Sequence, residues 1–577
     1  MRLAPVLSSL VLASTSGCVA HAREPDVDRT QDRMVDALSA ELGRAVELQL
    51  PGYDRPYFVG LSVQETDSWE LGAKLGVLVA NESERKREAA ADVRVGTWDF
   101  DNSDDTEQDF LEEGVYEPSN VVPLEDGDPA AVRHTLWLLA DLRYKQALAS
   151  YLRIKGQRVY KEDDPDRRPS FSPTAPVVAL APRVALSADR ARWERVVRAL
   201  STRLGADPAI FDSEVRIELA VETRWLVTSE GTRLRTVRPR YAFHATGWTR
   251  ADDGMLLDHS VDLYAPSEGG LPDEAALQAA VDRLVALLGA LRKAPVLEPY
   301  TGPAILEGRA SGVFFHEVLG HRLEGHRQTD DEDGQTFAKY LGQPIMPAFL
   351  SVVDDPTLPS MAGLPLNGTY AFDDEGVAAQ RTVLVDRGVL KSFLNARHPG
   401  PGADRSNGHG RAQGARRPVA RQANLIVEAS QTVSEKDLEA RLLAEVRRQG
   451  RPFGLILRDL AGGSTNTSSF GYQAFKGEAR TVYKVDAATG EETLVRGVDL
   501  VGTPLATLGK IIAASDQVGV FNGYCGAESG MVPVSAVAPS ILFSEVELQR
   551  TARPRSRGPI QPNPVRGVSA APTGGAR

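Results

Sequence analysis

The sequence predicts an α+β chain of two domains: an N-terminal mixed α/β domain with antiparallel hairpins, and a C-terminal β-rich domain that carries an HExxxH helix. Three observations predict it. The chain has 577 residues, whereas single cores rarely grow past roughly 250–300. Its first half alternates helical and period-two patterns. Its second half turns to glycine and β-formers, interrupted by one capped helix. The expected division is a signal over 1–22, domains over 23–297 and 298–551, and a disordered tail over 552–577.

Composition sets further bounds. Hydrophobic residues at 42% and charged residues at 25% are globular values. Lys and Arg total 66 against 78 Asp and Glu, a net charge of −12. Nucleic-acid binding needs a dense basic face, and this balance argues against one. Only Cys18 and Cys525 are cysteines, which excludes a disulfide-stapled scaffold.

Met1-Arg2, an apolar run to Leu12 and small residues through Cys18 read as an export signal. The apolar part is far shorter than the ~20 residues that span a bilayer. Two processing routes fit. Ser16-Gly17-Cys18 resembles the end of a lipobox and would anchor a lipid at Cys18; Ala20-His21-Ala22 is an A-x-A site. The expected location is periplasmic, or the envelope as a lipoprotein. The runner-up is a cytoplasmic protein with a hydrophobic first element. No later run is long and apolar enough for a transmembrane helix.

Residues 26–48 read as an amphipathic helix. Residues 59–63 and 75–80 read as strands with charged stretches between. The acidic run 99–113 does not fit the EF-hand spacing and reads as a solvated loop. Leu136, Leu139, Leu142, Ala147 and Leu152 mark a long helix over 129–156. A second helix covers 189–204, with Trp193, Val196, Val197 and Leu200 on one face. Residues 215–221 and 234–242 alternate with period two around Ser229-Glu230-Gly231, which predicts a hairpin. A strand over 255–264 follows. Pro272 is expected in the first turn of a helix ending near Leu291. His134, His244 and His259 stand singly and read as ordinary packed or surface residues.

Residues 295–303 look like the domain boundary. Strands are expected at 383–385, 389–390, 425–427, 455–457 and 481–483, and a helix over 434–449 with Ser434 as N-cap and Gly450 as its stop.

The chemistry lies in Phe315-His316-Glu317-Val318-Leu319-Gly320-His321. Imidazoles are good zinc ligands, and an adjacent carboxylate can act as general base on water. The two histidines are five residues apart, which on a regular α-helix is an offset of about 140°. They cannot then share a metal. A π-bulge would be needed, at Gly320 if anywhere. Cys525 lies among glycines and reads as a loop thiol free to approach another group. It would complete a His-His-Cys set with one open position, the layout of a catalytic zinc site.

His316 to Gly325 resembles the HExxxH motif of the TldD/PmbA metallopeptidases. Asp354-Asp355-Pro356, Phe372-Asp373-Asp374-Glu375-Gly376, Gln380-Arg381-Thr382, Ser406-Asn407-Gly408-His409-Gly410-Arg411, Gly462-Gly463, Gly502-Thr503-Pro504 and Cys525-Gly526 resemble further blocks of the catalytic TldD-type subunit, in the same order. The likeness is clear over residues 306–548. It implies zinc held by His316, His321 and Cys525, with Glu317 as general base toward the metal-bound water. It implies that His409, Gly462 and Gly463 line the cavity. It also implies a peptide substrate, unfolded or extended, and a dimer, either with itself or with a PmbA/TldE-like subunit. Two features depart from the family. The chain reads as exported. His326 stands where Asp is more usual, as a residue behind the site or on the surface. The rival readings are a non-catalytic peptide-binding or partner subunit, an envelope lipoprotein braced by its metal, and a cysteine protease using Cys525.

Overall fold

The computed structural model describes residues 32–104, 117–124, 129–158, 168–329, 334–468 and 473–551. The expected signal over 1–22, with Cys18, and the tail over 552–577 lie outside them.

Among the described residues, four α-helices and six strands precede residue 295. The helices are α1 (Arg33–Ala45), α2 (Ala130–Arg158), α3 (Arg190–Leu204) and α4 (Glu274–Lys293). The strands are β1 (Phe58–Lys74), β2 (Val77–Arg94), β3 (Val178–Leu180), β4 (Ile210–Thr228), β5 (Arg233–Arg250) and β6 (Leu256–Ala265). They form a sheet in the order β2-β1-β4-β5-β3, with β6 beside β5. α3 and α4 bury Trp193, Val197, Leu284 and Leu288 with Ile217 and Phe243 of the sheet, and α1 and α2 pack with Val59, Leu61 and Val63. Helix starts follow the side chains that can hold them: Asp189 accepts from Arg192 N and Asp273 from Ala276 N. The expected β4–β5 hairpin forms, with Gly231 at φ +105° in its turn.

Four expectations need correction. The turn of the first hairpin is Leu75-Gly76, and the charged stretch 64–74 continues β1 instead of separating two strands. β1 lies between β2 and β4, and Arg87 and Arg216 on those strands pair with Glu65 and Glu70, so charge is tolerated there. Pro272 precedes the Asp273 cap and is not in the helical turn. Asp101 is not solvated: it is fully buried, accepts from Tyr57 Oη at 2.6 Å and faces Arg94 Nη1 at 3.3 Å. The rest of that acidic run, 105–116, lies outside the described residues. Of the helix expected over 26–48, only α1 forms within the described part.

An eleven-stranded sheet follows. Its strands are β7 (Tyr300–Leu306), β8 (Leu350–Asp354), β9 (Thr382–Asp386), β10 (Val389–Leu390), β11 (Asn424–Ala429), β12 (Phe453–Thr465), β13 (Phe475–Asp486), β14 (Glu492–Val495), β15 (Val498–Gly502), β16 (Ile511–Ala527) and β17 (Gly530–Arg550). The order is β10-β9-β8-β11-β17-β15-β13-β12-β7, with β14 on β13 and β16 on β17. β7 also pairs antiparallel with β17, so β17, β15, β13, β12 and β7 close on themselves.

Against these strands lies α5 (Gly308–Phe315), buried at every residue but Arg309. Its sequence Gly-Arg-Ala-Ser-Gly-Val-Phe-Phe is small at one end and bulky at the other. The small end permits contact with backbone: a Cβ on Gly308 would lie 2.3 Å from Gly519 N, and one on Gly312 2.8 Å from Ala536 O. The bulky end fills the core, with Phe314 edge-on to Phe475 and Phe543. The helix expected over 434–449 forms as α6 (Glu435–Arg448), capped by Ser434.

The two parts meet through buried polar contacts. Arg397 reaches across to Glu230 at 2.8 Å, donates Nε to Ser172 O at 2.9 Å and stacks 4.1 Å from the Phe171 ring. Among the described residues no helix is long and apolar enough to cross a membrane.

The glycine contact makes α5 a sensitive point. Gly312→Val should lower the guanidinium midpoint by the equivalent of about 1–3 kcal/mol, the usual cost of overpacking a filled core. An unchanged midpoint would show that α5 is not seated on β17 as described.

Candidate metal centre

α5 does not continue as a regular helix. Residues His316–Gly320 form a π turn, and His321–Leu323 a 3₁₀ turn. The His321 N–H donates to His316 O. That i→i+5 bond stacks His321 over His316, which a 3.6-residue turn forbids at this spacing. Gly320 is needed for a different reason from the one expected. Its φ of −55° is ordinary for a helix. What excludes a side chain is Gln422, whose Oε1 would lie 1.8 Å from a Cβ there. Gln422 Nε2 in turn donates to His316 O at 3.4 Å.

Cys525 comes from a strand, not a loop. It lies in β16, opposite Val532 of β17, and the turn follows at Glu528-Ser529. The nearby glycines are accommodated by pairing, with the Phe521 ring and the Met531 sulfur occupying the space above Gly523 and Gly526. The ladder holds the thiol deep in the protein, 2% exposed.

The donor atoms of His316, His321 and Cys525 all lie within 4.8 Å of one another. Sγ is 3.3 Å from His321 Nε2. The imidazole rings are 5.0 Å apart and nearly perpendicular, at 82°. A tetrahedral zinc with usual bond lengths separates a thiolate from an imidazole nitrogen by ~3.6 Å. His316 Nδ1 is buried without a hydrogen-bond partner. Two imidazoles and a thiolate suit zinc by softness and leave a fourth position for water or substrate. The residues fit the ion.

The electrostatics agree. Burial pushes the Cys525 thiol up, but the imidazoles of His321 and His316 outweigh it and hold the thiol well below its usual range. Burial likewise works against charge on His321, yet Cys525 and Glu324 raise it well above an ordinary histidine. Glu317 is buried beside the cluster, and that burial pushes its carboxyl up. Gly463 packs on it: a Cβ there would lie 2.5 Å from Glu317 Cγ. Arg322 ties the π turn to the end of β12, bonding Glu317 O at 3.0 Å, Asn466 O at 2.9 Å and Thr465 Oγ1.

The remaining candidates fall elsewhere. Gly462 has open space above it. His409 has no accessible surface, and its ring contacts Asp354 at 3.3 Å and Asn407 at 3.0 Å. It therefore braces Asp354, whose carboxylate accepts from Ala423 N and Asn424 N, rather than facing a cavity. His326 Nε2 bonds Glu528. His244 bonds Asp262 at 2.7 Å, and His259 packs against Thr481. The sequence reading missed Glu324 and Arg421, both fully buried behind the cluster. The three-residue step from His321 could have flagged Glu324. Nothing in the sequence marks Arg421.

Comparison with known proteins finds relatives of the C-terminal part. Residues 299–550 match the family model "PmbA/TldA metallopeptidase C-terminal domain". A protein named "Metalloprotease" from Archaeoglobus fulgidus is 31% identical over 240 residues, 41% of this chain and 51% of that one. A "Zinc metalloprotease TldD homolog" from Saccharolobus solfataricus is 25% identical over 247 residues, 43% of this chain and 51% of that one. The chain spans about half the length of the curated relatives it matches. The crystal structure of TldE from Thermococcus kodakarensis superposes with a TM-score of 0.55 at 14% identity, covering 90% of this chain and all of that one, which is a likeness of fold. What these likenesses show is a PmbA/TldA metallopeptidase C-terminal domain over residues 299–550, the part of the chain that holds the π-turn helix.

Proposed function

We propose that this protein is a zinc-dependent peptidase acting on unfolded or extended peptides. One observation carries the reading: His316, His321 and Cys525 converge on a single point with the Glu317 carboxyl beside it. The names of the relatives support the same class. His316, His321 and Cys525 would hold the ion, which when bound supplies a Lewis acid that polarises the scissile carbonyl. Glu317 would take a proton from the attacking water as its oxygen bonds the carbonyl carbon. It would return that proton to the amine nitrogen as the C–N bond breaks. A carboxyl raised by burial is better matched to both steps near neutral pH.

β12 supports an extended substrate. Residues 455–457 pair with β7, but among the described residues 460–465 have β13 as their only strand partner. Beyond Leu460, whose carbonyl accepts from Arg309, this edge runs through Gly462-Gly463 past Glu317, where a peptide could add as a strand. A second copy or a TldE-like chain is the proposed partner, supported by the likeness of fold to TldE. The exported location read from residues 1–22 belongs to the proposal and rests on sequence alone.

Two measurements test it. Wild type purified without added metal should hold about one zinc per chain, as three-ligand catalytic sites do, and Cys525→Ser should lose it. Folded wild type without zinc would move the assignment to a non-catalytic partner subunit. Glu317→Gln should keep the zinc and lose hydrolysis of an unfolded peptide by roughly 10²–10⁴-fold, the range for a general base. Hydrolysis indifferent to chelators but stopped by thiol alkylation would instead make Cys525 a nucleophile.

A further inference from the structure

Behind the three donors lies a pair of opposite charges with no exposure to solvent, Glu324 and Arg421. Glu324 Oε2 is 3.4 Å from His321 Nδ1 and accepts from Arg327 Nε at 2.8 Å. Its Oε1 is 3.4 Å from Arg421 Nε. Arg421 Nη2 donates to the Cys525 carbonyl at 2.6 Å. Its Nη1 donates to Ser529 Oγ at 2.9 Å and to Gly530 O at 3.0 Å. The carboxylate thus touches the arm that carries His321, and the guanidinium touches the hairpin that carries Cys525.

Stability alone is a poor account of this arrangement. A buried ion pair gains little over well-packed apolar residues of the same volume, because two charges must leave water. The geometry supplies another account. His321 has two ring nitrogens, and Nε2 is the one turned to the Cys525 sulfur, at 3.3 Å. A carboxylate at Nδ1 keeps the proton there and leaves the Nε2 lone pair free. The planar fork of an arginine fixes a strand carbonyl and a turn together, which a lysine cannot do.

We propose that Glu324 and Arg421 are positioning residues. Glu324 holds His321 as the Nδ1–H tautomer with Nε2 facing the metal, and Arg421 sets the depth at which the Cys525 strand presents its thiolate. The proposal rests on the zinc reading above and adds to it the residues that prepare the site.

The test uses the full chain and zinc itself. Zinc affinity is measured by competition with a chromophoric chelator. The melting temperature of the metal-free protein is recorded beside it. Glu324→Gln, which keeps shape and one oxygen, should weaken zinc on the order of 10–100-fold. Arg421→Lys, which keeps the charge and loses the fork, should also weaken it. A merely structural pair would lower the metal-free melting temperature and leave the affinity of the folded protein unchanged, and that result overturns the proposal. A second measurement needs no variant. Nitrogen-15 histidine NMR of zinc-loaded wild type should show His321 protonated at Nδ1 and bound through Nε2. Binding through Nδ1 would overturn the proposal even if the variants fail to fold. Wild type that holds no zinc would instead refute the peptidase reading, so the two failures are distinguishable.

Discussion

The bond from the His321 N–H to the His316 carbonyl is the constraint on which the site depends. Five residues separate the two imidazoles, and only a turn widened by one residue brings them onto one face. A widened turn gives weaker local hydrogen bonding, so the surroundings must hold it. They do so from three sides. Phe314, Phe315, Val318 and Leu319 are buried in the main core. Gln422 lies against Gly320 so closely that no side chain fits there. Arg322 bonds the Glu317 carbonyl and the end of β12. The distortion is therefore dictated by packing on both sides of it.

The thiol arrives by a different logic. A strand paired along its length fixes a side chain better than a loop, and β16 is paired with β17 up to Ala527. β17 also pairs with β7, which leads directly into α5. One strand thus connects both arms of the site, and an error in its register would displace thiol and imidazoles relative to each other. Burial of so many charges is tolerable because they compensate. Cys525, Glu317 and Glu324 face His316, His321, Arg322, Arg327 and Arg421, and a low dielectric strengthens each attraction.

Elements whose cause is local were legible in the sequence. Asp189 and Ser434 cap their helices because a short side-chain oxygen meets a free backbone N–H, and that needs no tertiary knowledge. The need for a π turn followed from counting residues between two histidines. Elements whose cause is distant were not legible. Residues 64–74 look like a break by charge and are a strand because Arg87 and Arg216 on the neighbouring strands meet Glu65 and Glu70. Asp101 looks solvated among its acidic neighbours and is buried because Arg94 and Tyr57 meet it. Cys525 looked like a loop residue because its glycines suggest flexibility. Its strand state comes from β17, which no local rule supplies.

His326 shows how the outer end of the histidine segment is held. It lies on the outer side of the same turn, bonded to Glu528, and Arg327 reaches the same carboxylate at 2.7 Å. Burial pushes Glu528 up, but His326 and Arg327 outweigh it and hold the group ionised. Glu528 sits in the turn of the hairpin that delivers Cys525. An aspartate at position 326 would put like charges together across that gap, whereas a histidine makes a bridge. The hairpin is therefore fastened to the histidine segment twice, by Arg421 from within and by His326 and Arg327 from outside. The inner fastening has no solvent exposure and costs desolvation, while Glu528 in the outer one is 45% exposed and screened. The inner pair is thus the one able to set donor geometry, and the outer pair keeps the hairpin closed over it.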